Sequence, residues 1–255
     1  MKILAVGDVT GEPGVNYLKK SLRRFKQAEG IDLTVVNAEN SASGNGLDRS
    51  SAEGLFSAGA DVLTGGNHVF RISPAYSYID ENDFILRPAN FPSECPGRGY
   101  LIYDCGFERI LIMNVLGSMY MESGLACPFE TVETILKKEE GNYTLSFLDI
   151  HAEATSEKAA VARYFDGRIT GVFGTHTHVQ TADARILPKG TGFITDIGMC
   201  GPENSILGVK CERVIDKMRL HLPRRFEYAE GDSSATGVVF TVENRRVTEV
   251  KGVKF

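Results

Sequence analysis

Long apolar runs are missing from this sequence: nothing in it approaches the roughly 20 consecutive apolar residues that a membrane-spanning helix needs. The first residues, MKILAVGDVT, are interrupted by Gly7 and Asp8, too early for the apolar region of a signal peptide, so a cytoplasmic protein without a membrane partner is expected. Basic charge is not in excess either. Lys and Arg number 28 against 33 Asp and Glu, a formal net charge of −5, which argues against gripping long nucleic acid by neutralising its phosphates. A small anionic substrate held at a local positive site stays open. Cysteine is scarce, and the five present (Cys95, Cys105, Cys127, Cys200 and Cys211) form an odd set without a CxxC pair. That excludes a disulfide framework and the common thiolate patterns for zinc or iron–sulfur. Any metal must be sought among oxygen and imidazole donors.

What is present is ordinary for a soluble globular protein: 42% apolar and 24% charged residues over 255 positions. KILAVGD reads as a buried strand. After Pro13, Val15, Leu18, Leu22 and Phe25 recur at helical spacing. IDLTVVNAEN gives a second strand, Ala52, Leu55 and Phe56 mark one face of a short helix, and DVLTGGNH gives a third strand. This alternation is that of βαβ units with parallel strands. Between Asn67 and His151 the proline- and glycine-rich LRPANFPSECPGRGY predicts a loop over the sheet, flanked later by strand-like RILIMNVLG and YTLSFLDIH. SEKAAVARYF, RITGVFGTH and TGFITDIG restore the alternation, and a helix is expected around Val214, Ile215 and Met218. TGVVFTVENRRVTEV predicts an antiparallel hairpin at the sheet edge, turning at Asn244. Without repeat or linker, one domain over 1–255 and an α/β fold are expected.

Five strand candidates share a pattern: an apolar run ending in a metal-competent residue. They carry Asp8, Glu39 with Asn40, Asn67 with His68, His151, and His176 with His178. Four of the five histidines thus fall at one predicted rim. In open α/β sheets the carboxyl ends of parallel strands form the crevice where ligands bind. Taken singly, each residue has a plainer use. Asp8 can cap a loop, Glu39 can pair with an arginine, Asn40 and Asn67 can serve turns, and His151 can be a hydrogen-bonded core residue. His176 and His178 are harder to explain so, because residues two apart on an extended segment share a face. His221, at a helix end near basic residues, reads as structural. The coincidence of five strand ends favours a metal site.

Two carboxylates, one or two asparagines and three histidines are too many for one tetrahedral zinc. They suit two ions, with a carboxylate bridging them about 3.5–4 Å apart to activate water for in-line attack on phosphorus. The donor set is compatible with divalent or mixed-valence iron or manganese and does not exclude zinc. His68 remains over. It can donate a proton to a leaving oxygen, or merely orient a phosphate or a ligand. Asp196, at another strand end, could support a ligand from behind.

The series GD, NAEN, GGNH, HAE and GTHTH resembles the calcineurin-type metallophosphoesterases. GDVTGEPG, NAEN, GNH, RPANFP, HAEATSEK, GTHTHVQTAD and ITDIGMCGP together resemble their bacterial YmdB-like subfamily, over the whole chain. The resemblance implies a sandwich of two mixed β-sheets flanked by helices, a di-metal centre, and hydrolysis of cyclic nucleotides such as 2′,3′-cyclic AMP. It makes Glu39 the bridge, places Asp8, Asn40 and His178 on one ion and Asn67, His151 and His176 on the other, and makes His68 the proton donor. One departure stands out: the superfamily's first motif is Asp-x-His, whereas Val9 and Thr10 follow Asp8, so Asn40 or water must fill that place. Three rivals or extensions remain. Gly7, Gly11 and Gly14 superficially suggest a dinucleotide loop, but Val9 occupies the middle glycine of GxGxxG. A non-catalytic metal- and nucleotide-binding signalling protein is an alternative. The loop GMCGPENSILG could shape the pocket or a homo-oligomer contact.

Overall fold

The computed structural model describes residues 1–121 and 124–255. The chain runs β1 (Lys2–Val6), β2 (Asp8–Val9), α1 (Gly11–Glu29), β3 (Leu33–Asn37), α2 (Arg49–Ala58), β4 (Val62–Thr64), α3 (Tyr76–Glu81) and β5 (Ile85–Leu86). It continues with β6 (Tyr100–Asp104), β7 (Arg109–Leu116), α4 (Pro128–Lys138), β8 (Leu145–His151), α5 (Thr155–Tyr164), β9 (Gly171–Thr175) and β10 (Arg185–Ile186). Last come β11 (Gly192–Ile194), β12 (Met199–Pro202), α6 (Cys211–Leu220), β13 (Ser233–Glu243) and β14 (Arg246–Lys254). Two mixed sheets result. The first has the order β2-β12-β13-β1-β3-β4-β5, with β14 also on β13; the second has the order β10-β11-β9-β8-β7-β6.

The strand composition explains the layering. Side chains alternate across a strand, and in β1 both faces are apolar: Ile3 and Ala5 join the cluster between the sheets, while Leu4 and Val6 join the cluster under α1 and α2. β7 behaves likewise, with Ile110 and Ile112 between the sheets and Leu111, Met113 and Val115 beneath α4 and α5. Such strands read as continuous apolar runs because helices cover the outer faces. Phe147, Phe173 and Phe240 fill the inter-sheet layer, each contributing about 1.5–3 kcal/mol by burial. On the helical side Val15, Leu18 and Leu22 are buried as their spacing predicts, and Phe25 stacks on Phe255 at 4.0 Å. The expected parallel pairings are present in β1–β3–β4–β5 and in β7–β8–β9–β11.

Two expectations change. The terminal hairpin is antiparallel, but only β14 lies at an edge; β13 pairs with β1 and β12 on its other side. Val238, Phe240 and Val242 pack between the sheets while Val239 packs outward, which requires a strand covered on both faces. The proline-rich stretch is likewise not a cover over one sheet. It carries the chain from β5, at the edge of the first sheet, to β6, at the edge of the second. Asn90 makes that crossing stable in a buried place, donating to the carbonyls of Leu116 and Ala126 and accepting from the Leu116 N–H. Among the described residues no helix is long and apolar enough to cross a membrane.

Candidate metal centre

All seven candidate ligands and His68 come together where strands of both sheets end. Asp8 starts the two-residue β2, Glu39 and Asn67 follow β3 and β4, His151 ends β8, and His176 and His178 follow β9. Donor atoms of Glu39, His151 and His176 all lie within 4.8 Å of one another, as do those of Asp8, Glu39 and His178. Glu39 is common to both groups. His151 Nε2 is the hub of the first: His176 Nδ1 lies 3.1 Å away, Asn67 Oδ1 3.1 Å and Glu39 Oε2 3.5 Å. In the second, His178 Nε2 stands 3.8 Å from Asp8 Oδ1. Asn40 turns its amide nitrogen to Glu39 and His178 and its oxygen to His68 Nδ1 at 2.9 Å, so oxygen ligation calls for the amide turned half over, an O/N assignment that follows the hydrogen-bond network.

The electrostatics fit cations. Asp8 is fully buried, its Oδ1 has no hydrogen-bond partner, and burial together with Glu39 pushes its carboxyl well above the ordinary range. Burial opposes ionisation of Glu39 too, but His151 and His68 outweigh it and bring its pKa to about 2. Burial lowers His151 to about 3 and shifts His176 and His178 downward as well, so these rings are neutral with lone pairs free. Neutral imidazoles facing buried carboxylates, one oxygen orphaned, are what a divalent ion requires. The tautomer of His151 is fixed from behind. Thr175 spends its hydroxyl proton on Asp149 Oδ1 at 2.7 Å, and so accepts from His151 Nδ1 at 2.9 Å, leaving Nε2 bare toward the cluster. Asp149, raised by burial to about 6, also accepts from Thr64 and Asn37 at 2.6 and 3.1 Å.

His176 and His178 are not on an extended segment. β9 stops at Thr175, and both histidines have left-handed backbone, φ 99° and 63°, conformations that non-glycine residues rarely hold without compensating contacts. The Asp8 carboxylate accepts the His176 N–H at 3.1 Å. Asp196 accepts both N–H and hydroxyl of the intervening Thr177 at 3.1 and 2.7 Å, and pairs with the fully buried Lys158 at 2.6 Å. The expected support by Asp196 thus acts on the loop between the two rings. Lys158, Asp149 and Thr64 were not singled out from sequence, nor was Glu153, whose Oε2 lies 3.2 Å from His176 Nε2 and turns Nδ1 inward. His221 caps α6 in left-handed conformation, is exposed, and belongs to neither donor group.

Gly66 is a further missed residue, and GGNH was its only signal. A Cβ there would collide with His151 Nε2 and Glu39 Oε2. Gly66→Ala should therefore displace one of these donors and lower bound metal at least about tenfold in affinity, read by elemental analysis after dialysis; full occupancy would contradict the close approach. The cluster opens on a cavity of about 300 Å3 whose walls include His68, His176, His178 and the apolar Leu207, Val209 and Phe226.

Paired donor groups sharing one carboxylate, at strand ends of a two-sheet α/β sandwich, define a metallophosphoesterase. Residues 4–253 match the family described as YmdB-like protein, and the chain belongs to that family. It is 40% identical over 251 residues to the 2′,3′-cyclic-nucleotide 2′-phosphodiesterase of Bacillus subtilis, covering 98% of this chain and 95% of that protein. Two solved structures superpose with a TM-score of 0.94: a hypothetical protein from Thermus thermophilus, 36% identical, covering 100% of this chain and 99% of that one, and a novel phosphatase from Mycoplasma pneumoniae, 34% identical, covering 100% and 93%. The family resemblance read from the motifs is borne out, and so are the two mixed sheets.

Proposed function

We propose that the protein hydrolyses small cyclic phosphodiesters, 2′,3′-cyclic nucleotides first and 3′,5′-cyclic nucleotides as a second class. The observation that carries this reading is the pair of donor groups joined through Glu39 beside an apolar cavity: one end suits a phosphate, the other a nucleoside face. Glu39 would be shared by two ions, with Asp8, Asn40 and His178 completing one set and Asn67, His151 and His176 the other. Iron or manganese suits these oxygen and imidazole donors, and zinc accepts them as well. When bound, such a pair supplies charge neutralisation at phosphorus and a nucleophilic water.

The chain's own residues do the rest. His68 Nδ1 lies 3.2 Å from Glu39 Oε1, which accepts its proton and orients the ring, so Nε2 is the nitrogen that would take up and deliver the transferable proton. At rest Nε2 accepts from the Asn67 amide nitrogen at 3.3 Å, and His68 borders the cavity. Turned off Asn67 and protonated on Nε2 from solvent, the ring would give that proton to the ribose oxygen released when the P–O bond breaks. The apolar wall keeps bulk water from the nucleoside side.

A panel of phosphomonoesters and cyclic phosphodiesters, assayed separately with iron, manganese and zinc, tests the reading. Metal-dependent turnover of adenosine 2′,3′-cyclic phosphate is expected. Binding of that nucleotide without turnover under any metal would overturn catalysis and make the protein a nucleotide sensor. Removal of metal should also destabilise the fold: at a free concentration 100 times Kd an ion adds about 2.7 kcal/mol, or roughly 5–10 °C in Tm for a chain of this size. Calorimetry of loaded and chelated protein checks this, and equal Tm values would argue that the buried carboxylates need no cation.

A further inference from the structure

The phosphodiesterase reading accounts for the cluster and the apolar cavity but not for what lies next to them. A second, larger cavity of about 890 Å3 adjoins the first. The two share Asn45, His68, Val209, Phe226 and Tyr228 as walls, so they form one trough that begins at the candidate metal centre and runs past the nucleoside face. Four cations line the far part: Arg71, Lys217, Arg224 and Arg225. None of the four makes an ion pair with a carboxylate among the described residues. The one carboxylate in that wall, Glu227, is already neutralised by Lys210 at 3.3 Å and Arg213 at 2.5 Å. Lys217 is seated over the Phe226 ring, 4.4 Å from its centroid, which holds its charge at the junction of the two cavities.

Four unneutralised cations around one hollow are unusual in a chain of net charge −5. Concentrated beside a phosphate-handling centre, they mark an anion subsite, and guanidinium forks suit phosphate oxygens in particular. We propose that this basin takes a second phosphate, the one attached on the 5′ side of the nucleotide whose cyclic phosphate is opened. With the cyclic phosphate at the cluster and the nucleoside along Val209 and Phe226, the 5′ carbon leads into the basin. Two molecules present that chemistry: a cyclic mononucleotide bearing a 5′-phosphate, and the 3′ end of a short RNA terminating in a 2′,3′-cyclic phosphate. Four cations can neutralise about two phosphates, and the rest of the chain is acidic in balance, so a short occupant fits. Such cyclic ends arise when a ribose 2′-oxygen displaces the next nucleotide, so RNA-cleaving transesterification is the class of reaction that would supply the substrate. The chemistry at the cluster is unchanged: water adds to phosphorus, one ribose P–O bond breaks, and the released oxygen takes a proton.

The inference rests on the phosphodiesterase reading, and three substrates separate the two. These are adenosine 2′,3′-cyclic phosphate, its 5′-phosphorylated form, and the diadenosine dinucleotide ending in a 2′,3′-cyclic phosphate, each assayed for kcat/KM with the same metal. A preference of about tenfold or more for a substrate with the extra phosphate is expected, the scale of one or more charge-assisted hydrogen bonds. It should shrink at high salt and fall toward unity in the Arg224→Gln, Arg225→Gln double variant, whose folding is checked by its unchanged Tm. Preference for the 5′-phosphate alone, or for the dinucleotide alone, identifies which source the basin serves. Equal kcat/KM for all three in the natural protein would overturn the subsite. Turnover of none would instead overturn the phosphodiesterase reading beneath it.

Discussion

Glu39→Gln is expected to strip the centre of metal and of activity together. The substitution keeps the side chain's shape and removes its charge, and that charge is common to both donor groups. The carboxylate is ionised deep inside the protein because His151 and His68 face it; with glutamine, Asp8 is left as the sole anion in either group. Removing one partner from a buried charge arrangement costs about 3–5 kcal/mol, which corresponds to roughly a hundred- to several-thousand-fold in affinity. Elemental analysis should find less than half the metal of the natural protein, and hydrolysis of adenosine 2′,3′-cyclic phosphate should fall at least about a hundredfold. Retention of full metal content with a melting curve like that of the natural protein would refute the bridging role.

His68→Ala separates chemistry from metal binding. Its side chain belongs to neither donor group, and its main-chain N–H bond to Glu39 Oε2, 3.0 Å long, survives the change. Metal content should therefore be retained while kcat drops by about 10²–10⁴, the range for loss of a positioned acid, with KM little altered. Substrates with a better leaving group should be affected less, because they need the proton less. Undiminished kcat would remove His68 from the reaction.

The strand ends were legible because burial and polarity change there within one or two residues. ILAVGD, SFLDIH and VFGTH each show an apolar run meeting a metal-competent side chain, and the fold gathers Asp8, His151 and His176 as that pattern implies. The conformation of GTHTH was not legible. Left-handed backbone at His176 and His178 is imposed from outside the segment, by Asp8 and by Asp196 with Lys158, and a non-glycine residue carries no local mark of it. Asp149 lies within β8 and Thr64 ends β4, and a polar residue in such a strand cannot be told from a surface one until its partners are known. The interior position of β13 was hidden for a related reason: hairpin connection says which strands are neighbours, but not that β1 and β12 would close on the other side.

The donors at the centre reach it in two instalments. Asp8, Glu39 and Asn67 come from the first sheet's strand ends, all within the first 67 residues; His151, His176 and His178 come from the second sheet, much later in the chain. Neither half of the chain can assemble either complete donor group alone, so a chain released early or folded in one layer only would lack the centre. Any ion taken up at the centre would then report that both layers have met in register.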